Sequence, residues 1–338
     1  MLSLEQLLAE RSDLKFIFTG GKGGVGKTTA AAGLAYHFAS QGKRTLVASL
    51  NPVHSLTSIF DQDLTGGKTK EITDNLYAVE VETQDIVERY RRNITQRVKD
   101  FLKWADIPVR AGPFIDIAVT NPAFEESAMF DKMMDIMLKE GESYDVLIFD
   151  TAAVANAIRL IGLSKIYGLW LGRMIESRKE ALSLRVQLAF RKEKIMEEVK
   201  KDPLMADLIS MNERFVKAKK LLTDPQRTAF FFVTLPLALP IAVVKRFIKM
   251  VLAYDIPVGG VFVNQVLQKE VVEASQEDEY LKNKYQEQFG YMETIRRDLG
   301  DLVRAFIPLY PEEVANVEMV ARVSNDLLRY VPAFWEEL

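Results

Sequence analysis

The chain has 338 residues, 48% of them hydrophobic and 27% charged, with a net charge of −3. That composition suits a large folded core and offers no global polycation for nucleic acid. There is no cysteine, which excludes disulfides, thiolate metal sites and cysteine nucleophiles, and there are two histidines, His37 and His54.

The opening residues, MLSLEQLLAERSD, are too acidic and polar for a secretory signal. They predict a short amphipathic helix with Leu2, Leu4, Leu7 and Leu8 on its apolar side. The apolar run Leu14 to Thr19 then predicts a buried parallel strand, and TTAAAGLAYHFASQG predicts a helix ending near Gly42. Between them lies GGKGGVGKTT, residues 20–29. A glycine-rich turn from strand to helix converges main-chain N–H groups on anionic oxygens and adds the positive end of the helix. The G-x-x-x-x-G-K-T pattern is complete from Gly21 to Thr28. Gly21, Lys22, Gly23, Gly24, Val25, Gly26, Lys27, Thr28 and Thr29 are therefore the expected nucleotide-phosphate site. Lys27 is suited to the β- and γ-phosphates and Thr28 to Mg²⁺.

Further apolar runs predict strands at Thr45 to Ser49, Leu76 to Glu80, Val146 to Asp150, Phe230 to Thr234, Val258 to Asn264 and Ala305 to Pro308. Most are separated by helical segments. The alternation predicts a doubly wound, mostly parallel α/β sheet of the P-loop NTPase kind. Gly20, Asn51, Asp150 and Asn264 stand at strand C-terminal ends, the edge where open α/β sheets bind ligands. Asp150, closing the apolar VLIFD, predicts a Walker B acid that holds Mg²⁺ with Thr28, directly or through water.

Residues 84–140 and 164–226 break the alternation. We expect one P-loop domain over residues 1–338 with a helical subdomain inserted from about 84–140 and 164–226. Ile86, Tyr90, Ile94, Val98 and Leu102 recur at helical spacing, as do Ile166, Leu169, Trp170 and Met174. Met129, Phe130, Met133, Met134, Met137 and Leu138 form a broad apolar stripe. It has two readings: ordinary helix packing, or an adaptable apolar groove, because methionine re-packs around varied ligands. The longest apolar stretch, Phe230 to Val244, falls short of the roughly 20 residues that span a bilayer, and Pro236 and Pro240 interrupt it. No transmembrane helix is predicted.

Lys22, just after the first glycine of the loop, gives K-G-G-x-G-K-T-T. This resembles the deviant Walker A loop of dimerising NTPases, in which the extra lysine reaches the partner's phosphates. Taken with NPVHSL (Asn51 to Leu56), FDTA before a helix carrying Arg159, NPAFEE (Asn121 to Glu126), VNQ (Val263 to Gln265) and PLYPEE (Pro308 to Glu313), the chain resembles the arsenite-pump ATPase family. That family includes the tail-anchored membrane-protein targeting ATPases. The resemblance implies a prokaryotic, archaeal-type, cysteine-free paralogue that forms an ATP- and Mg²⁺-dependent homodimer. It implies that Asn264 reads the base and that Pro308 and Leu309 help grip adenine. It makes residues 51–56 and 150–160 the two switch loops. It also implies a cytosolic carrier that shields a client's transmembrane helix in an apolar groove, with Met129, Met133, Met134, Met137, Trp170 and Met174 as candidate lining, until delivery to a membrane receptor at the membrane surface.

The chain departs from the family pattern in three places. Asn51 stands where the motif has aspartate. An amide orients water but is a very poor base, and general-base help is worth about 10²–10⁴-fold. Slow hydrolysis is expected, with Asn51, Lys22 and Lys27 as the catalytic set. An engineered trap of the ATP state and a natural slow variant both fit. Residues 150–160 read DTAAVANAIRL where the family has D-T-A-P-T-G-H, which puts the usual switch coupling in doubt. Without C-x-x-C, the zinc clasp of many targeting ATPases is excluded, and a metalloid-pump role through thiolates is disfavoured. The alternative from another class is a nucleotide-gated partner switch resembling the partition and septum-placement ATPases.

Overall fold

A computed structural model of the chain describes residues 2–51, 55–104, 122–151, 203–275 and 278–332, with Trp335 and a few positions between 172 and 183. The chain divides into two compact units. One comprises Met1–Glu82, Lys139–Ile158 and Leu221–Leu338, and the other Thr83–Leu138 and Arg159–Lys220.

In the first unit the described strands are β1 (Phe16–Gly21), β2 (Thr45–Ser49), β3 (Lys70–Thr73), β4 (Leu76–Glu80), β5 (Val146–Asp150), β6 (Thr228–Thr234), β7 (Val258–Val266) and β8 (Val303–Pro308). They form one sheet in the order β3-β4-β2-β5-β1-β6-β7-β8. All pairings are parallel except β3 with β4. The central strands are apolar on both faces because helices cover both. Side chains alternate across the pleat: Phe18 stacks between Phe149 and Phe230, at 4.8 and 5.6 Å. The next residue, Phe231, stacks on Phe262 at 4.8 Å. The expected mostly parallel α/β P-loop fold is therefore the observed one. β3 was not expected. Its sequence, KEIT, is short, with Lys70 and Glu71 exposed and Ile72 and Thr73 half-buried, the usual character of a blunted edge strand.

Helix α1 (Leu4–Glu10) begins with a capping box in which Ser3 and Gln6 exchange hydrogen bonds. It buries Leu4 and Leu7, with Leu2 and Leu8 partly buried against the same cluster. Helix α2 (Lys27–Ser40) buries Ala30, Ala31, Ala32, Gly33, Leu34 and Ala35. Small side chains let it lie close to its neighbour α10 (Val317–Arg329), which buries Val320, Val323 and Leu327. A Cβ at Gly33 would stand 2.8 Å from Val323 Cγ1, so a side chain here would force its α10 neighbours to shift. The remaining described helices of this unit are α3 (Ser55–Phe60), α7 (Ala238–Leu252), α8 (Lys269–Ala274) and α9 (Glu279–Leu299). Pro240 sits in the first turn of α7, where its missing N–H removes no helical bond.

The second unit holds α4 (Thr83–Trp104), α5 (Pro122–Leu138) and most of α6 (Pro203–Leu222). α4 meets α5 through an edge-on Tyr90–Phe124 contact at 5.1 Å. Ile86, Tyr90 and Ile94 form its half-buried face, while the side chains of Val98 and Leu102 lie outside the described residues. Arg214 of α6 pairs with Asp131 and Asp135 of α5. Beside this pair Met134 packs on Phe215 and Ala218. Among the described residues no helix is long and apolar enough to cross a membrane.

Candidate nucleotide site

The C-terminal ends of β1, β2, β5 and β7 converge on one edge of the sheet. The order of strands reverses beside β1, with β5 on one side and β6 on the other. Such a reversal opens a crevice, and the loop after β1 fills its mouth. That loop runs from Gly21 to Gly26, where φ is +86° and α2 begins. Lys22, Gly23 and Gly24 are exposed and Val25 is buried. Thr28 and Thr29 are half-buried in the first turn of α2. Lys27 is buried; its Nζ donates to the main-chain carbonyl of Lys22 at 3.2 Å. Burial holds its pKa below the usual lysine range, and the charge of Asp150 partly opposes that.

Asp150, fully buried at the end of β5, is the electrostatic centre of the edge. Its Oδ2 accepts from Thr28 Oγ1 at 2.7 Å. The same hydroxyl lies 3.3 Å from Ser55 Oγ. Burial raises the Asp150 pKa to about 6. The Thr28 hydrogen bond, the Lys27 charge and the Thr19 and Ser49 hydroxyls each favour the charged form. Among the described residues Asp150 Oδ1 nonetheless has no hydrogen-bond partner, which is costly for a buried carboxylate. An orphaned carboxylate oxygen beside hydroxyls is a hard-oxygen donor set. It fits Mg²⁺, which takes few protein ligands and keeps several waters. Thr28 and Asp150 are the residues that would hold it.

Asn51 follows β2 and is half-buried; its N–H donates to Ser49 Oγ at 3.3 Å. Leu50 N–H donates to the Asp150 carbonyl at 2.9 Å, tying this loop to β5. Pro52, Val53 and His54 lie outside the described residues, as does the second switch from Ala152 onward, with Arg159. The sequence reading missed Glu80. This carboxylate is buried at the end of β4, where Oε1 accepts from Leu56 N–H at 2.5 Å and Thr57 N–H at 3.0 Å. Its Oε2 accepts from Thr57 Oγ1 at 2.7 Å. Glu80 thus fixes the start of α3, next to Ser55. The available signal was an acid closing an apolar strand at the ligand edge, the same signal that marked Asp150.

On the other flank, Asn264 is buried near the end of β7. Its Nδ2 donates to the Val25 carbonyl at 2.9 Å and its Oδ1 accepts from Gln265 N–H at 2.8 Å. Pro308 is buried at the end of β8, and Leu309 N–H donates to the Val266 carbonyl at 2.9 Å. A cavity of about 190 Å³ opens here, lined by Leu235, Leu237, Gln265, Leu281 and Leu309 among others. Asn264 is not part of that lining. The expected base-gripping residues therefore divide: Leu309 faces the cavity, while the Asn264 amide engages the phosphate loop.

The candidate groove residues belong to the second unit. Met133 and Met137 are 2% and 3% exposed; Met134 is also buried and Met129 is half-buried. In this structure the stripe is covered at Met133, Met134 and Met137, while Met129, Phe130 and Leu138 are half-buried. Trp170 and Met174 lie outside the described residues.

Residues 14–329 match the family described as anion-transporting ATPase. ATPase GET3B of Arabidopsis thaliana is 30% identical over 90% of this chain and 76% of its own length. ATPase GET3A of the same plant is 28% identical over 96% of this chain and 86% of its own. A putative arsenical pump-driving ATPase 2 of Aquifex aeolicus is 26% identical over 93% of this chain and 99% of its own. With a match that runs nearly end to end, the chain belongs to the anion-transporting ATPase family and is an ATP-hydrolysing P-loop enzyme.

Proposed function

We propose that this chain works as an ATP-dependent homodimer that shields the transmembrane helix of a client protein, with hydrolysis slowed by Asn51. The observation that carries the proposal is α5, which brings Met129, Met133, Met134 and Met137 together on one helix of a unit separate from the nucleotide-binding sheet. In this reading the carrier acts from the cytosol and visits a receptor at the membrane surface.

The chemistry at the sheet edge follows from the residues there. Main-chain N–H groups of residues 21–29 hold the phosphates, and Lys27 supplies charge inside the loop. Exposed Lys22 is available to the partner subunit's nucleotide. Bound Mg²⁺ supplies charge neutralisation on the phosphates. The Asn51 amide orients the attacking water but takes no proton, so the step loses general-base help. The cavity beside Leu309 is the proposed seat of the adenine ring.

The burial of Met133 and Met137 favours a second reading, a nucleotide-gated partner switch without cargo. A metalloid pump, suggested by the name of the Aquifex relative, has no thiolate to use in this cysteine-free chain. The deciding experiment presents a hydrophobic helical peptide carrying a photo-crosslinker, with ATP, with ADP and without nucleotide. Capture confined to the ATP state supports the carrier. ATP-dependent dimerisation with no capture in any state supports the switch and removes the carrier. Stimulation of turnover by antimonite would favour the pump against both.

A further inference from the structure

The amide of Asn264 has a fixed orientation. The Gln265 N–H can only donate and the Val25 carbonyl can only accept, so Oδ1 must face Gln265 and Nδ2 must face Val25. The bond to Val25 joins residues 239 apart in sequence, from the end of β7 to the middle of the phosphate loop. Two backbone features accommodate it. Gly26 has no side chain where one would collide, because a Cβ there would stand 2.1 Å from Asn264 Nδ2. Gln265 adopts φ +57°, a left-handed conformation uncommon for residues other than glycine, and this goes with an N–H that meets the amide oxygen.

A phosphate loop works by turning consecutive N–H groups toward the anion, so its carbonyls must turn away and find donors elsewhere. Val25 lies at the centre of that loop, and Asn264 supplies its carbonyl with a buried donor. We propose that Asn264 is a positioning residue that straps the phosphate loop in its anion-binding shape, so that it governs phosphate affinity whatever base is attached. The proposal rests on the assignment of residues 21–29 as the nucleotide-phosphate site. It is distinct from base reading, which would use the second Nδ2 hydrogen and the second Oδ1 lone pair that these two bonds leave over.

The test separates the triphosphate from the base. Mg²⁺-dependent binding of inorganic tripolyphosphate, ATP and GTP is measured for the parent chain, Asn264→Ala, Asn264→Asp and Lys27→Ala, with thermal midpoints recorded for each. Asn264→Asp keeps the shape and the acceptor for Gln265 but loses the donor to Val25 and adds a buried negative charge beside the anion site, so Asn264→Ala is the cleaner deletion and the thermal midpoints show whether either variant is folded. Asn264→Ala is expected to weaken tripolyphosphate and ATP by the same factor, about ten-fold, the size of one net hydrogen bond, and Asn264→Asp by at least as much, with the ATP-to-GTP ratio unchanged in both. Amide hydrogen exchange at residues 22–28 of the nucleotide-free protein is expected to quicken in both. Unchanged tripolyphosphate binding with a loss confined to ATP overturns the strap and restores base reading. Unchanged hydrogen exchange in the loop also overturns it. If Lys27→Ala binds tripolyphosphate as the parent does, the phosphate-site assignment itself fails, an outcome distinguishable from failure of the strap.

Discussion

The Thr28 hydroxyl donates to Asp150 Oδ2 at 2.7 Å, joining the first turn of α2 to the end of β5, while the other oxygen of the same carboxylate is buried without a partner among the described residues. Burial makes the charged form of this carboxylate costlier than in water, so it holds its proton to higher pH than an exposed aspartate. Burial raises its pKa from an ordinary 3.8 to about 6. In the nucleotide-free protein the folded state therefore binds the proton more tightly than the unfolded chain. This contribution to stability is fully present below pH 3.8 and is lost as pH rises through about 6. Asp150→Asn removes the buried charge. It should raise the stability of the nucleotide-free protein at pH 8 by on the order of 1–3 kcal/mol, with little effect near pH 4. The same variant should lose the stabilisation that Mg²⁺-ATP gives the parent. Melting curves at the two pH values, with and without Mg²⁺-ATP, check both halves. An equal gain at both pH values would remove the electrostatic account.

Asn51 follows β2, and its neighbour Leu50 ties the backbone here to β5. Restoring a carboxylate should restore proton transfer. Asn51→Asp is expected to raise single-turnover ATP hydrolysis by about 10²-fold, within the usual range for general-base catalysis, and to leave ATP affinity within about three-fold of the parent. Equal rates for the two chains would mean that the divergent second switch, not position 51, limits the step.

Glu80 gathers three hydrogen bonds from Leu56 and Thr57 and so fixes the segment that brings Ser55 to Thr28. Glu80→Ala leaves those donors unpaired and should cost about 2–4 kcal/mol of stability. Glu80→Gln keeps one acceptor oxygen and should cost less. Chemical denaturation gives the ranking. A Glu80→Ala chain as stable as the parent would show that α3 holds its place by packing alone.

Much of the sheet was legible because its central strands are buried on both faces and read as unbroken apolar runs, FFFVT and VLIFD being the plainest. β3 was not, because a solvated edge strand such as KEIT carries no apolar pattern. The glycine-rich turn from β1 to α2 and the acid closing β5 were legible as structure because each is local, set by residue type and by the strand end before it. The Glu80 and Asn264 contacts were not, since each depends on which strand ends the topology brings together. No spacing in the chain says that residue 264 will meet residue 25. The methionine stripe showed its helical period, but a period marks a buried face without saying what covers it.

That last ambiguity leads to a prediction that the composition makes easy to test. The chain has no cysteine, so Met133→Cys and Met137→Cys each carry a single thiol. Both positions are nearly inaccessible here, at 2% and 3% exposure. Without nucleotide each thiol should react with a maleimide far more slowly than an exposed control such as Lys99→Cys on α4. If α5 lines a groove that opens when ATP closes the dimer, ATP should speed labelling at both positions by about ten-fold or more, and a bound hydrophobic peptide should suppress it again. Cysteine is smaller than methionine and apolar, so the unit should remain folded, whereas a buried aspartate would bring an unpaired charge into the packing and unfold it. If labelling stays slow in ATP at both sites, the methionines are structural packing, and the client must be sought on another surface or not at all.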